Sequence, residues 1–307
     1  MDIKHLENLQ TYARCRNIGR GARLSDLQVQ ETALSPVDYL GYFRRIWEES
    51  GDRYFGLHFG AFLNLEALHV VYDISLSVST IRQLTLIWQN YARASFPLLR
   101  IKSFEESTGY KLVFEVDVVD KAVSQIMDAI LMFSYRELAV ITGLDSLNIT
   151  FPYNDLREYR KWFDCPVSRG KAYAIRFLAP ASEVVTNAKK RKRIEALLPA
   201  FMEYLTRMDT QADSFSFQVK SMLLHLSDPD LPGVEKVAGQ FCMTPRTLQR
   251  KLKEEQTTFR QITNALKKEL YLYLQQGEKR KTVEMSSILG YSSASAFLHA
   301  LKVWELG

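Results

Sequence analysis

The chain has 307 residues, 47% hydrophobic and 24% charged, which is typical of a folded globular protein and excludes a disordered or fibrous one. This length suits two domains better than a single core. The net charge of +5 is unevenly placed, because residues 244–282 carry ten Lys/Arg against four Asp/Glu, leaving the remainder near neutral.

Helices are predicted over most of residues 1–95. Ser35-Pro36 begins one of them, and Ser79-Thr80 caps another with the sequence "STIRQLTLIWQNYARA". Strand patterns follow: "LLRIKSFEE" and "YKLVFEVDV" flank Ser107-Thr108-Gly109, which indicates a hairpin with glycine at the turn. A helix over 123–142 and the strand-like runs "LNITFPY" and "KAYAIRFLA" come next. This order predicts an α+β domain rather than a repeating βαβ one.

Residues 187–208 predict a helix with a cationic first turn, which favours a solvated surface and leaves open a contact to phosphate or to the other domain. The polar stretch "DTQADSFS" then marks a boundary. We therefore expect an α+β domain over 1–208, a linker at 209–214 and a C-terminal domain over 215–307. Short helices punctuated by Gly, Pro and Ser fill the last of these and predict a compact all-α module.

An internal repeat organises this module. Val237, Ala238, Phe241, Met243 and Thr244 match residues 48 positions later: Met285, Ser286, Leu289, Tyr291 and Ser292. After one extra residue, Leu248, Leu252 and Lys253 match residues 49 positions later: Phe297, Leu301 and Lys302. Each copy has the helix-turn-helix design, and the helix "TFRQITNALKKELYLYLQQ" joins the two.

The exposed face of the first protruding helix predicts double-stranded DNA as a partner. In the major groove, arginine can form two hydrogen bonds with guanine, and glutamine can form two with adenine. The expected base contacts are Arg246, Gln249 and Arg250, with Ser295 and His299 as the weaker set of the second copy. The expected phosphate contacts are Thr244, Lys251, Lys253, Arg260, Lys267, Lys268 and Lys302. The alternative for the first helix is an ordinary solvated charged surface.

The module resembles the DNA-binding domain of AraC/XylS-type bacterial transcription regulators, through "MTPRTLQRKLKEEQTTFRQI" and "EMSSILGYSSASAFLHALKVW". Residues 1–205 more loosely resemble the arabinose-binding-type regulatory domain of one branch, through "SVSTIRQLTLIWQNYARASFPLLR" and "YRKWFDCPV". The resemblance implies an activator or repressor that contacts RNA polymerase, and a first domain that senses a small molecule or forms a homodimer.

The chain departs from the family pattern at three places. Cys242 stands where a turn glycine is usual, which predicts a non-glycine residue in a left-handed conformation. Leu298 and His299 replace a smaller polar residue and an arginine, which weakens the second copy. The family normally continues past Gly307, so we expect either a truncated C-terminus or a compromised second motif.

Other classes find less support. An enzyme is disfavoured because no phosphate loop, zinc-protease motif or nucleophile elbow occurs, so we predict no catalytic residue, cofactor or metal. The alternatives left open are a regulator controlled by a protein partner and, with less support, an enzyme-like small-molecule domain fused to the DNA-binding module. Three widely spaced cysteines, no leader and no apolar run of about 20 residues predict a cytoplasmic protein without a membrane partner.

A pocket for an acidic effector is a weaker hypothesis. Basic residues next to strand-like apolar runs could pair with such a ligand, and the candidates are Lys102, Lys111, Arg157 and Arg176. Most aromatic residues of 54–99 are expected to fill the core instead.

Overall fold

The computed structural model divides into two compact units, Met1–Asn187 and Ala188–Gly307. It describes residues 4–18, 35–63, 78, 80–96, 98–107, 109–116, 118, 120–142, 147–179, 188–207, 214–228, 230–276 and 280–305. The first unit is α+β and the second is mostly helical, as the sequence predicts. No helix within the described ranges combines the length and hydropathy needed to cross a membrane.

The first unit contains the predicted helices and hairpin. Its helices are α1 (Lys4–Cys15), α2 (Pro36–Ser50), α3 (Phe55–Phe62), α4 (Ile81–Ser95) and α5 (Val123–Thr142). Its strands are β1 (Leu99–Glu106), β2 (Gly109–Val116), β3 (Leu147–Phe151), β4 (Val167–Arg169) and β5 (Tyr173–Phe177). The expected caps are present: Ser35 accepts a hydrogen bond from the Val37 N–H, and Thr80 accepts one from the Gln83 N–H.

The five strands form one sheet in the order β1-β2-β5-β3-β4. Neighbours are antiparallel except β3 and β4, which run parallel. The short strand β4 was not predicted, because three residues give no alternation to read. Alternate residues are buried along β3, over residues 110–114 of β2 and at the start of β1, so one face of the sheet belongs to the core.

Gly109 serves a different purpose from the one predicted. It pairs with Glu106 as the first residue of β2, and its φ is not positive. A Cβ at this position would lie 2.0 Å from the carbonyl oxygen of Phe177 on β5. Glycine is therefore required by close approach of the neighbouring strand, and not by the turn conformation.

Tight helix packing completes the core of the first unit. A Cβ at Gly56 or Gly60 on α3 would collide with the backbone of α5, at Gln125 and Ala129 respectively. The aromatic residues of α3 are almost fully buried, which confirms that they fill the core. The helix packing is therefore set by two glycines one turn apart.

The second unit begins one helix earlier than the sequence suggested. Its helices are α6 (Ala188–Arg207), α7 (Phe215–His225), α8 (Val234–Gln240), α9 (Pro245–Glu254), α10 (Phe259–Gln275), α11 (Thr282–Ile288) and α12 (Ala294–Glu305). Because α6 packs on α7, α10 and α11, the compact division falls before it rather than at 209–214. Of the predicted linker, only Ser214 lies among the described residues.

Candidate nucleic-acid interface

The first helix pair joins α8 to α9 through a tight turn. The N–H groups of Cys242 and Met243 donate to carbonyls at the end of α8, at 2.9 and 3.1 Å. Cys242 has a φ of 52°, so a non-glycine residue does occupy the left-handed turn position, as predicted. Thr244 then begins α9, its hydroxyl oxygen accepting the Thr247 N–H at 3.2 Å.

Helix α9 buries one narrow stripe and exposes the rest. Leu248 and Leu252 are 0% exposed and face the interior, as their spacing of four residues predicts. The exposed side chains are Arg246, Gln249, Arg250, Lys251, Lys253 and Glu254. Four of these six are cationic, and a carboxylate oxygen of Glu254, the one acid among them, lies 4.0 Å from the Arg250 Nε. The helix thus presents an accessible ridge of positive charge and hydrogen-bond donors.

Glu255 connects this helix to α7. Its two carboxylate oxygens accept the N–H groups of Phe215 at 2.6 Å and Ser216 at 2.8 Å, where the positive end of the α7 dipole favours an anion. The Lys251 ammonium lies 5.1 Å from the centroid of the Phe215 ring. These contacts orient α9 without covering its outward face.

The second helix pair, α11 and α12, repeats this geometry. The N–H groups of Gly290 and Tyr291 donate to the end of α11 at 3.3 and 2.9 Å, and Gly290 has a φ of 69°. The cap of α12 is Ser293, whose hydroxyl accepts the Ala296 N–H at 3.1 Å. The predicted match of Thr244 with Ser292 is therefore displaced by one residue, because the extra residue enters before the cap rather than after it.

The outward face of α12 is less polar than that of α9. Phe297 is buried on α12, at the position that corresponds to Leu248 on α9. The exposed residues of this helix are Ser295, Leu298, His299, Lys302 and Val303. Leu298 is 46% exposed and Val303 57% exposed, so two large apolar side chains stand among the polar ones.

Helix α10 links the two pairs, and its 17 residues span about 25 Å at 1.5 Å per residue. Arg260 is exposed near its start. Two other expected phosphate contacts are engaged within the unit: the Lys267 ammonium lies 4.1 Å from the centroid of the Tyr291 ring, and Lys268 donates to the Trp304 carbonyl at 3.0 Å. Burial lowers the pKa of Lys267.

Arg193 on α6 joins both helix pairs. Its guanidinium donates to the two carboxylate oxygens of Asp230, at 2.9 and 2.6 Å, in the loop before α8. It also donates to the Ile288 carbonyl at the end of α11, at 3.3 and 3.2 Å. This arginine was predicted only as part of a cationic helix start. No local sequence pattern indicates these contacts, because its partners lie 37 and 95 residues away.

The four candidate effector residues occupy two places in the first unit. Lys102, Lys111 and Arg176 share the outward face of the sheet, where Lys111 is directly opposite Arg176. Two of them contact acids: Lys102 lies 2.7 Å from Glu115 and Arg176 lies 2.8 Å from Glu106. The fourth, Arg157, stands in an exposed loop and pairs with Asp155 at 2.8 Å.

Two buried acids on α5 were not predicted from the sequence, since they sit in a largely apolar helix. Asp128 accepts hydrogen bonds from the hydroxyls of Tyr153 at 2.9 Å and Tyr159 at 2.6 Å, and burial raises its pKa to about 7 despite these bonds. Glu137 accepts a hydrogen bond from the Trp88 indole, and burial raises its pKa to about 8. The sequence feature that indicates them is an acidic residue at a position where the helical pattern places the core.

Comparison with known families gives a match over more than half of the chain. The family model described as the arabinose-binding domain of AraC transcription regulators, N-terminal, matches residues 14–181. These residues fall within the first compact unit.

Named relatives are also similar to this chain. An uncharacterized HTH-type transcriptional regulator, Rv1395 of Mycobacterium tuberculosis, is 25% identical over 200 residues, which is 64% of this chain and 51% of the relative. The HTH-type transcriptional regulator VqsM of Pseudomonas aeruginosa is 25% identical over 178 residues, 56% of this chain and 54% of VqsM. The matches thus span about half the length of these curated relatives. The crystal structure of the transcriptional regulator CdpR from Pseudomonas aeruginosa is 20% identical with a TM-score of 0.36, covering 99% of this chain and 95% of CdpR.

Proposed function

The chain belongs to the family of AraC transcription regulators with an N-terminal arabinose-binding domain, and from this premise we propose that it is a sequence-specific DNA-binding regulator. In this proposal the second unit reads two adjacent major-groove segments through two helix-turn-helix motifs, α8–α9 and α11–α12. The first unit makes binding responsive to a small-molecule effector.

The observation that carries the proposal is the outward face of α9. An Arg- and Gln-bearing ridge on a helix braced by two buried leucines has the shape and chemistry that major-groove reading requires. Arg246, Gln249 and Arg250 are the proposed base contacts of the first motif. Ser295 and His299 are those of the second.

Phosphate contacts hold the protein in register without reading sequence. The accessible candidates on or beside the reading helices are Thr244, Lys251, Lys253, Arg260 and Lys302. Lys267 fits this role less well, because its ammonium packs on the Tyr291 ring. We assign it instead to the docking of the second motif on α10.

Regulation is proposed to act through the first unit. An effector, or association of two copies, would shift the population of an arrangement that binds DNA and contacts RNA polymerase. Thermal melts of the full chain across metabolite, amino-acid and fatty-acid libraries test the effector. Uniformly flat melting temperatures would favour control by a protein partner.

The direct test of DNA reading is selection from a random pool of duplexes with the purified full-length protein, followed by footprinting at low ionic strength. Two helix-turn-helix motifs side by side predict a bipartite site with half-sites about one helical turn apart, about 10–10.5 bp. Indifference to every duplex at low salt would refute the proposal. A footprint over one half-site alone would refute reading by the second motif.

A further inference from the structure

The two reading helices can be aligned residue by residue from their backbones. The Leu248 N–H donates to the Thr244 carbonyl, and the Phe297 N–H donates to the Ser293 carbonyl, 49 residues later. The two cap hydroxyls accept from residues that are also 49 apart. Residues beyond the caps therefore correspond at this offset, and Leu298 occupies the position that Gln249 has on α9.

Leu298 lies on the outward face of α12. Ser295 and Lys302, three residues before it and four after it, stand on the same side of the helix, and His299 is exposed about 100° further round. With 46% of its surface exposed, the leucine contributes its isobutyl group to that face rather than to the core beneath Phe297.

The major groove offers one apolar feature that such a side chain can recognise. Of the four bases, thymine alone carries a methyl group at C5 there, and apolar side chains contact it. Glutamine at the same position of α9 instead forms two hydrogen bonds with adenine. The two motifs therefore present different chemistry at equivalent positions.

We infer that Leu298 is a specificity-determining residue that selects thymine, through its methyl group, in the half-site read by α12. This inference rests on the proposed function, since it requires α12 to enter a major groove. It assigns the departure at Leu298 to altered specificity, and it gives the two half-sites different base preferences.

The experiment uses the full-length protein and the duplex obtained by selection. Each thymine of the second half-site is replaced in turn by deoxyuridine, which removes the methyl group and leaves the pairing and hydrogen-bonding pattern unchanged. We expect about fourfold weaker binding at one position, corresponding to about 0.8 kcal/mol for one methyl-sized group removed from water. Deoxyuridine in the first half-site should not show an effect that depends on Leu298.

Two variants attribute the effect to this side chain. Leu298→Ala should bind the thymine duplex about as weakly as the wild type binds the uracil duplex, and should no longer distinguish the two. Leu298→Gln should shift the preference at that position towards adenine. Leu272→Ala is the matched control, because Leu272 is 48% exposed on α10 in the same unit but stands outside the reading faces.

The outcomes separate the two proposals. Equal affinity for thymine and uracil at every position of the second half-site would overturn this inference while leaving DNA reading intact. Retention of the thymine preference by Leu298→Ala would overturn it as well. Failure of the wild-type protein to bind any duplex would overturn both, and unchanged DNA binding by Leu298→Ala alongside loss of a polymerase contact would identify a protein-docking residue instead.

Discussion

Cys242 and Gly290 occupy the same left-handed position in two turns that lie 48 residues apart. Their φ angles are 52° and 69°, and the hydrogen bonds around them follow the same pattern. At Cys242 a side chain is held in a conformation that costs an L-residue about 1–2 kcal/mol. We predict that Cys242→Gly stabilises the second unit by up to about 1 kcal/mol, because greater freedom of glycine in the unfolded chain offsets part of the gain. Urea unfolding measures this.

The reverse change at Gly290 is the control. A Cβ there would meet the Asp230 carboxylate oxygen at 2.7 Å and the Arg193 guanidinium at 3.2 Å, in addition to the strain of its φ. Gly290→Ala should therefore be destabilising by more than about 1 kcal/mol. If Cys242→Gly were also destabilising, the turn at Cys242 would not be strained.

The contacts of Arg193 with Asp230 and with the Ile288 carbonyl, called the Arg193 clamp below, provide a second prediction. Arg193→Ala removes a bidentate pair with Asp230 and the hydrogen bonds to the Ile288 carbonyl, and it should cost about 1–2 kcal/mol, since Asp230 is largely exposed and screening weakens the pair. Arg193→Lys should restore less than half of this, because an ammonium cannot form the fork. The measurement is amide hydrogen exchange of residues 282–305 in the wild type and in Arg193→Ala. If Arg193→Ala exchanged faster in other segments but not in residues 282–305, the result would contradict the clamp.

The sequence predicted local features of the second unit better than long-range ones. Leu248 and Leu252 were predicted correctly as buried because a spacing of four residues is a local pattern. Thr244 was matched to Ser292 instead of Ser293 because two serines in a row leave the position of the inserted residue undecided. The Arg193 clamp could not be predicted, since nothing local distinguishes it from the neighbouring cations.

In the first unit, the sequence identified four of the five strands and the hairpin of β1 and β2, but not the other strand neighbours. The adjacency of Lys111 and Arg176 follows from β5 pairing with β2, which no local pattern encodes. The buried acids Asp128 and Glu137 were hidden because a carboxyl group in an apolar helix has no partner that can be seen in sequence. Strand order and buried polar partners are tertiary properties.

A third prediction separates base reading from phosphate binding on α9. Arg250→Ala should relax base preference at one position, costing about 1–3 kcal/mol on the preferred duplex and little on others. Lys251→Ala should weaken all duplexes alike and reduce the salt slope by about 1. Titrations at several salt concentrations, on the selected and a scrambled duplex, measure both. Unchanged site preference in Arg250→Ala would show that the reading face is assigned wrongly.

The packing of α3 on α5 gives a fourth prediction. A Cβ at Gly60 would lie 2.4 Å from the Ala129 carbonyl oxygen, and backbone cannot yield as a flexible side chain can. Gly60→Ala should therefore be destabilising by about 2 kcal/mol or more. Gly41→Ala is the matched control: Gly41 lies within α2 with nothing within 4 Å of the added carbon, so the change should stabilise by about 0.5–1 kcal/mol. Equal effects in thermal melts would contradict this packing.

Glu137 provides a prediction about pH. Its side chain is 2% exposed, and burial raises its pKa to about 8, above the ordinary value near 4.5. The folded chain therefore holds a proton that the unfolded chain releases, so the stabilisation is complete below about pH 4.5 and is lost as pH rises towards 8. Between pH 5 and 8 the free energy of unfolding should fall by about 3 kcal/mol from this group.

Glu137→Gln keeps the shape of the group, accepts the Trp88 hydrogen bond and cannot titrate, so it should remove that fall. Asp128, whose pKa is about 7, acts with the same sign at lower pH, and Asp128→Asn should flatten mainly the part of the curve below pH 7. Urea unfolding at pH 5, 6, 7 and 8 distinguishes the two variants. A Glu137→Gln protein that lost stability as steeply as the wild type between pH 7 and 8 would show that this carboxyl is already ionised in the fold.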